Sequence, residues 1–184
     1  MLSSKLSNIL CYIFMWWLIS ACAHVEAPED VAGEIDNLTL AINALSDEVS
    51  TADASQTSNL LINAAIKLAE EYNMASPALY HNMLVNVGFR ERGLCCHWAE
   101  DLHAKLRGLN TRSLKFDWLV ARLGSQLREH NTVVIYAAES TWTKGIVFDP
   151  WRKAGVPHWT KVDGDKYLWQ PHPLSGKWEI LRCK

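Results

Sequence analysis

Concentrated positive charge is missing from this sequence: no cluster of lysine and arginine occurs anywhere, and the formal charge is −2. A phosphate backbone is held by a basic surface that displaces its counterions, so nucleic acid is not expected as a partner. Charge of either sign is sparse, at 21% of 184 residues against 49% hydrophobic. That is ample apolar material for one compact core. Internal repeats and low-complexity tracts are absent too. So is any C-x-x-C pair, the spacing that most readily completes a tetrahedral metal site, and nothing in the pattern calls for a metal or cofactor.

What is present begins with an address. Lys5 in a short polar start is followed by the apolar run "ILCYIFMWWLI" (Ile9 to Ile19) and the small residues Ser20 and Ala21. The run is too short to span a bilayer comfortably. "ISAC", ending in Cys22, resembles the bacterial lipobox, in which the cysteine is lipidated and becomes the first residue. That resemblance implies a membrane anchored lipoprotein of the cell envelope, and Ala23 in place of Asp implies the outer membrane, facing the periplasm. The anchor acts by burying lipid methylenes, each contributing ~0.8 kcal/mol. An ordinary cleaved signal or short anchor is the plainer alternative.

Three parts are therefore expected: a signal peptide over 1–21, an acidic tether over 22–57 and a domain over 58–184. Within the tether, Ile35, Leu38, Ile42, Leu45 and Val49 recur at three- and four-residue steps, which predicts one helix. Leu60, Leu61, Ala64, Ala65, Leu68 and Ala69 predict a second from about Ser58 to Tyr72, and Pro77 marks the first turn of another. A helix is expected to open after Gly93 and end near Gly108. Further on, "TVVIYAA" (Thr132 to Ala138) and "GIVFDPW" (Gly145 to Trp151) read as strands. Helices first and strands after them argue an α+β fold with a small antiparallel sheet.

Removal of Cys11 and lipidation of Cys22 leave three thiols, Cys95, Cys96 and Cys183, an odd number for an oxidising compartment. Two of them adjoin in "RGLCCHWAEDL". Helical rotation of about 100° per residue separates them. Cys95 aligns with Ala99, Leu102 and Leu106, an apolar stripe. Cys96 aligns with Glu100, His103 and Arg107, and belongs on the wetter flank. Cys95 thus sits fixed at a helix N-terminus, where free N–H groups and the helix dipole stabilise a thiolate. A thiolate nucleophile needs a histidine to share its proton and a third group to orient the ring. His97 and His103 share the Cys95 helix and cannot approach from another element. His130 heads one strand and Asp149 ends the next, so a hairpin would bring both to one sheet edge.

"GLCCHWA" (Gly93 to Ala99) resembles the G-x-C-x-x-x-A signature of the transglutaminase-like, papain-related cysteine enzymes. "HNTVVIY" and "VFDP" are similar to that superfamily's histidine and aspartate strands, in the same order. The resemblance spans about Leu84 to Trp151. It implies Cys95 as nucleophile, His130 as general base and acid, Asp149 as orienting group, and an acyl-enzyme route on amide bonds of a protein or peptide substrate. Asn131 departs from the aromatic residue that often follows the family's histidine. The upstream oxyanion donor is left open between Asn82 and Asn86, with the Cys95 backbone N–H as a further donor.

Rival readings accompany these. A member of the fold without activity would serve as a binding module. Cys96 is either inert or paired with Cys183 or Cys95. A metal site of Cys95, Cys96, His97 and His103 is disfavoured by the divergence of adjacent ligands on one helix. The aromatic residues Trp142, Trp151, Trp159, Trp169, Trp178, Tyr136 and Tyr167 are expected to pack the sheet rather than line a cleft. Arg152, Lys153, His158 and His172 are expected at the surface.

Overall fold

Helices and strands follow in the expected order in the computed structural model, which describes residues 27–125 and 127–173. Cys11, Cys22, Trp178 and Cys183, and with them the lipobox, lie outside the described residues. Helices α1 (Val31–Asn43), α2 (Thr51–Glu71), α3 (Ala78–Asn86) and α4 (Cys95–Leu106) precede strands β1 (Leu114–Ala121), β2 (His130–Ala137), β3 (Ile146–Phe148), β4 (Trp159–Lys161) and β5 (Gln170–Pro171). The strands form one antiparallel sheet in the order β4-β3-β2-β1-β5. The fold is α+β.

Strand β2 holds the centre of the sheet because both of its faces are apolar. Val133, Ile135 and Ala137 alternate toward the helices, where they meet Leu102 and Leu106 of α4 and Leu61, Ile62 and Leu68 of α2. Val134 turns to the opposite face and joins Leu119, Val147 and Trp169. Alternation with a period of two thus feeds two apolar layers, one on each side of the sheet. Helix α4 lies against β2, with α2 packed on it and α1 on α2.

The segment read as a tether is part of this body. Leu38 and Ile42 of α1 are fully buried in the main core, and Val49 joins them. Three- and four-residue spacing gave that helix its apolar face, and α2 supplies the surface that covers it. Helix α2 also opens at Thr51 rather than near Ser58, because Ser50 caps it: its hydroxyl accepts from Asp53 N at 3.4 Å. Asp53 then ties the helix start to the entry of β1, accepting from Arg112 N (3.0 Å), Ser113 N (3.0 Å) and Ser113 Oγ (2.7 Å). Those bonds, led by the Ser113 backbone, hold the Asp53 carboxyl below its ordinary range.

Candidate active site

The turn before α4 is shaped by two buried histidines. Burial pushes His97 down to about 4. Its neutral ring accepts from Gly93 N (3.1 Å) and Leu94 N (3.2 Å), satisfying donors that the first helical turn would leave open. His81 Nδ1 accepts from Ala75 N at 3.1 Å, so its Nε2 donates to Arg92 O at 2.8 Å. Gly93 lies under that ring with φ +118°, and a Cβ there would stand 2.1 Å from His81 Nε2. The glycine of "GLC" is therefore required twice, by its dihedral and by the approach of His81.

Cys95 emerges from this turn as the first residue of α4, buried, with Ala99, Leu102 and Leu106 buried below it as the spacing predicts. Its thiol donates to Glu129 O at 3.8 Å, the residue directly before His130. Cys95 is a free thiol, whereas Cys96, one residue on and half-buried, is disulfide-bonded to a partner outside the described residues. The adjacent pair is not bonded to itself. His103, expected on the wetter flank beside Cys96, is instead buried.

His130 and Asp149 meet as the hairpin argument requires. Strands β2 and β3 pair with Val133 opposite Phe148, which brings the start of one beside the end of the other. His130 Nε2 lies 2.6 Å from Asp149 Oδ2, and both side chains are almost wholly buried. A carboxylate only accepts, so Nε2 carries a proton, and Nδ1 is left for Cys95. Nδ1 is buried and makes no hydrogen bond of normal geometry within the protein. Burial disfavours charge on this ring, but the Asp149 carboxylate and then the Cys95 sulfur outweigh it and raise His130 to about 9.

Aromatic rings close over His130. Tyr167, Trp151 and Trp169 have ring centroids 4.6, 4.7 and 5.5 Å from the imidazole. They exclude water from the His130–Asp149 bond, which strengthens it electrostatically. Packing is thus what these rings do, as the sequence suggests, although they pack a histidine as well as a sheet. Arg152 departs from expectation. Its Nε donates to Asp149 Oδ2 at 2.6 Å, its NH1 donates to Asp165 Oδ1 at 2.9 Å, and its NH2 reaches Asp165 Oδ2. The side chain is only 11% exposed. Sequence alone puts it at the surface because it shows no partner for it. One signal was available: a 3-10 turn over Pro150–Lys153 sets Asp149 and Arg152 three residues apart, on one face.

Cys95 opens on a cleft of about 620 Å³. Leu79, Asn82, Met83 and Asn86 of α3 form one wall, and Gly124, Ser125, Leu127, Glu129 and Asn131 form the other. Both asparagines weighed as oxyanion donors are therefore at the site. They differ in restraint: Trp151 Nε1 donates to Asn82 Oδ1 at 3.0 Å, which leaves the Asn82 amide nitrogen as that side chain's free donor type. Asn131, the departure from the family pattern, is fixed by Trp118 Nε1 at 2.8 Å and by its own donation to Glu129 Oε1 at 3.2 Å. Glu129 Oε2 accepts from Gly124 N at 2.7 Å, so both its oxygens are engaged.

A four-ligand metal site does not assemble from Cys95, Cys96, His97 and His103: Cys96 is in a disulfide and His97 Nδ1 caps the turn. Among the described residues no group of three or more such side chains is arranged around a metal position. No family model, no curated protein and no solved structure matches the chain.

Proposed function

We propose that the protein is a thiol enzyme that opens amide bonds through an acyl-enzyme, using Cys95, His130 and Asp149. The observation that carries this reading is the buried 2.6 Å bond between His130 Nε2 and Asp149 Oδ2, in a site that also holds a free thiol at a helix start. An orienting carboxylate behind the imidazole, and the nucleophile before it, is the arrangement that activates a cysteine.

The steps follow from the protonation states. His130 Nδ1 takes the Cys95 proton, giving a thiolate and an imidazolium that Asp149 stabilises. The thiolate attacks a carbonyl carbon lying in the cleft, and negative charge moves to the carbonyl oxygen. The Cys95 N–H at the first turn of α4 and the Asn82 amide are the donors suited to hold that oxygen. The imidazolium returns its proton to the departing amine, and a thioester on Cys95 remains. Water or a second amine then enters, gives up a proton to His130 and releases the acyl group.

The same reading places the enzyme in the bacterial envelope, held to the membrane by lipid on Cys22, with a protein or peptide as substrate. It is supported by the lipobox resemblance of "ISAC" and by the open cleft. Among the described residues no helix is long and apolar enough to cross a membrane.

Acylation by p-nitrophenyl acetate tests the chemistry without knowledge of the natural substrate. A stoichiometric burst of p-nitrophenol is expected, with one acetyl group found on Cys95 by peptide mass spectrometry and none in Cys95→Ser. A wild-type protein with no burst and no label would instead be the binding module without activity.

A further inference from the structure

Two carboxylates in this molecule are almost fully buried beside each other's partner. Asp149 is 2% exposed and Asp165 is 1% exposed at the side chain, and the Arg152 guanidinium lies between them. A buried charge must be paired and hydrogen-bonded, and here one cation serves two anions. We infer that Arg152, clamped by Asp165, is a positioning residue that holds the Asp149 carboxylate in line with His130. This inference rests on the proposed role of the Cys95, His130 and Asp149 site.

The geometry divides the labour within Arg152. Its Nε meets the same Asp149 oxygen, Oδ2, that accepts from His130 Nε2, both at 2.6 Å. Its two terminal nitrogens meet the two oxygens of Asp165 as a planar fork. The fork fixes the plane of the guanidinium, and the plane fixes where Nε points. Asp165 is itself anchored, accepting from Tyr167 N at 3.2 Å and from Trp169 Nε1 at 3.0 Å. Burial pushes its carboxyl up, and the Arg152 and Trp169 bonds outweigh this and hold it below its ordinary value. Above the fork, the Arg152 guanidinium carbon sits 4.7 Å from the Tyr167 ring centroid, the ring that also covers His130. The segment 165–169 is thereby locked to the histidine from two sides.

Other charged groups near the imidazole do not substitute for Arg152. Cys95 faces it from α4, and the Glu129 carboxylate is spent on Gly124 and Asn131. Arg122 and Lys166 lie over the Tyr167 ring, each at 5.4 Å. Lysine at position 152 would keep a positive charge but has no fork and no fixed plane, so it cannot bind Asp165 at two points and aim at Asp149 at once.

The His130 ring reports the result directly. The full chain is labelled at its histidine rings, and His130 is assigned through His130→Gln and titrated by NMR. Wild type should titrate at about 9. Arg152→Lys should lower that by about one unit or more, because a carboxylate out of line no longer offsets burial. Asp165→Asn should move it the same way by less, and carries the test alone if the lysine variant does not fold. A His130 midpoint within about 0.3 unit of wild type in folded variants, or a rise, overturns the inference, since a scaffold role moves stability only and mere charge compensation would raise it. Acetylation of wild-type Cys95 is measured alongside. Its absence sinks the enzyme reading, whereas a lowered His130 midpoint in the same protein still upholds the positioning role.

Discussion

At the residue scale the proposed chemistry turns on His130, and the pH dependence of its charge has a definite sign. Its ordinary value is 6.5 and the folded protein raises it to about 9. A raised value means that the charged ring stabilises the fold fully below pH 6.5, and that this contribution is lost as pH rises through 9. Asp149 is the principal cause of the rise. Thermal unfolding followed from pH 6 to pH 10 should therefore show a wild-type decline between about pH 7 and 9 that is smaller in Asp149→Asn. An identical decline in both proteins would mean that the His130–Asp149 pair does not titrate as described. The same substitution should slow acetylation of Cys95 by at least about 100-fold, because the ring loses its fixed tautomer and orientation. The place of Cys95 at the start of α4 was legible from helical spacing, and the meeting of His130 with Asp149 from their places at strand ends. Asp165 was not, because its ion pair with Arg152 joins positions that no periodicity relates; Arg152 shows only its three-residue spacing from Asp149, and burial of a guanidinium leaves no mark in a sequence.

At the element scale the turn into α4 is the most constrained part of the site. Gly93→Ala forces a Cβ into His81 and an L side chain into φ +118°. A loss of about 3 kcal/mol of stability is expected from clash and strain together, measurable by urea unfolding. A loss under about 0.5 kcal/mol would show that the turn relaxes freely. The junction of α2 with β1 makes a second case. Asp53→Ala removes three hydrogen bonds to Arg112 and Ser113 and should reduce stability by about 2 kcal/mol, with little change in Cys95 acetylation. Sequence showed the helix pattern of α2 from Leu60 onward but placed its start some seven residues late. The first turns are polar outside and small inside, so amphipathic spacing fades there, and the Ser50 cap is what fixes the boundary.

At the scale of the whole molecule, α1 is part of the folded body and not a spacer. Leu38→Ala should destabilise the protein by about 2–4 kcal/mol, the cost of a cavity in a core and not of a change in a linker. If Cys22 carries lipid, only residues 23–30 separate it from α1, a reach of at most about 30 Å. The cleft would then work close to the membrane surface, and Cys22→Ser should move the protein from the membrane to the soluble fraction with its Cys95 chemistry intact. The α+β order was legible because helical and strand periods are local properties, while the layering of α1 on α2 depends on contacts between distant segments. The central claim of the account is that Cys95 is a nucleophile served by His130. Its most direct measure is the rate of Cys95 alkylation by iodoacetamide at about pH 6, where an ordinary thiol is almost wholly protonated. The account predicts alkylation at least about 10-fold faster than that of a free cysteine under the same conditions, and a fall toward the free rate in His130→Ala. Alkylation no faster than a free thiol, or a rate that His130→Ala leaves unchanged, would contradict it.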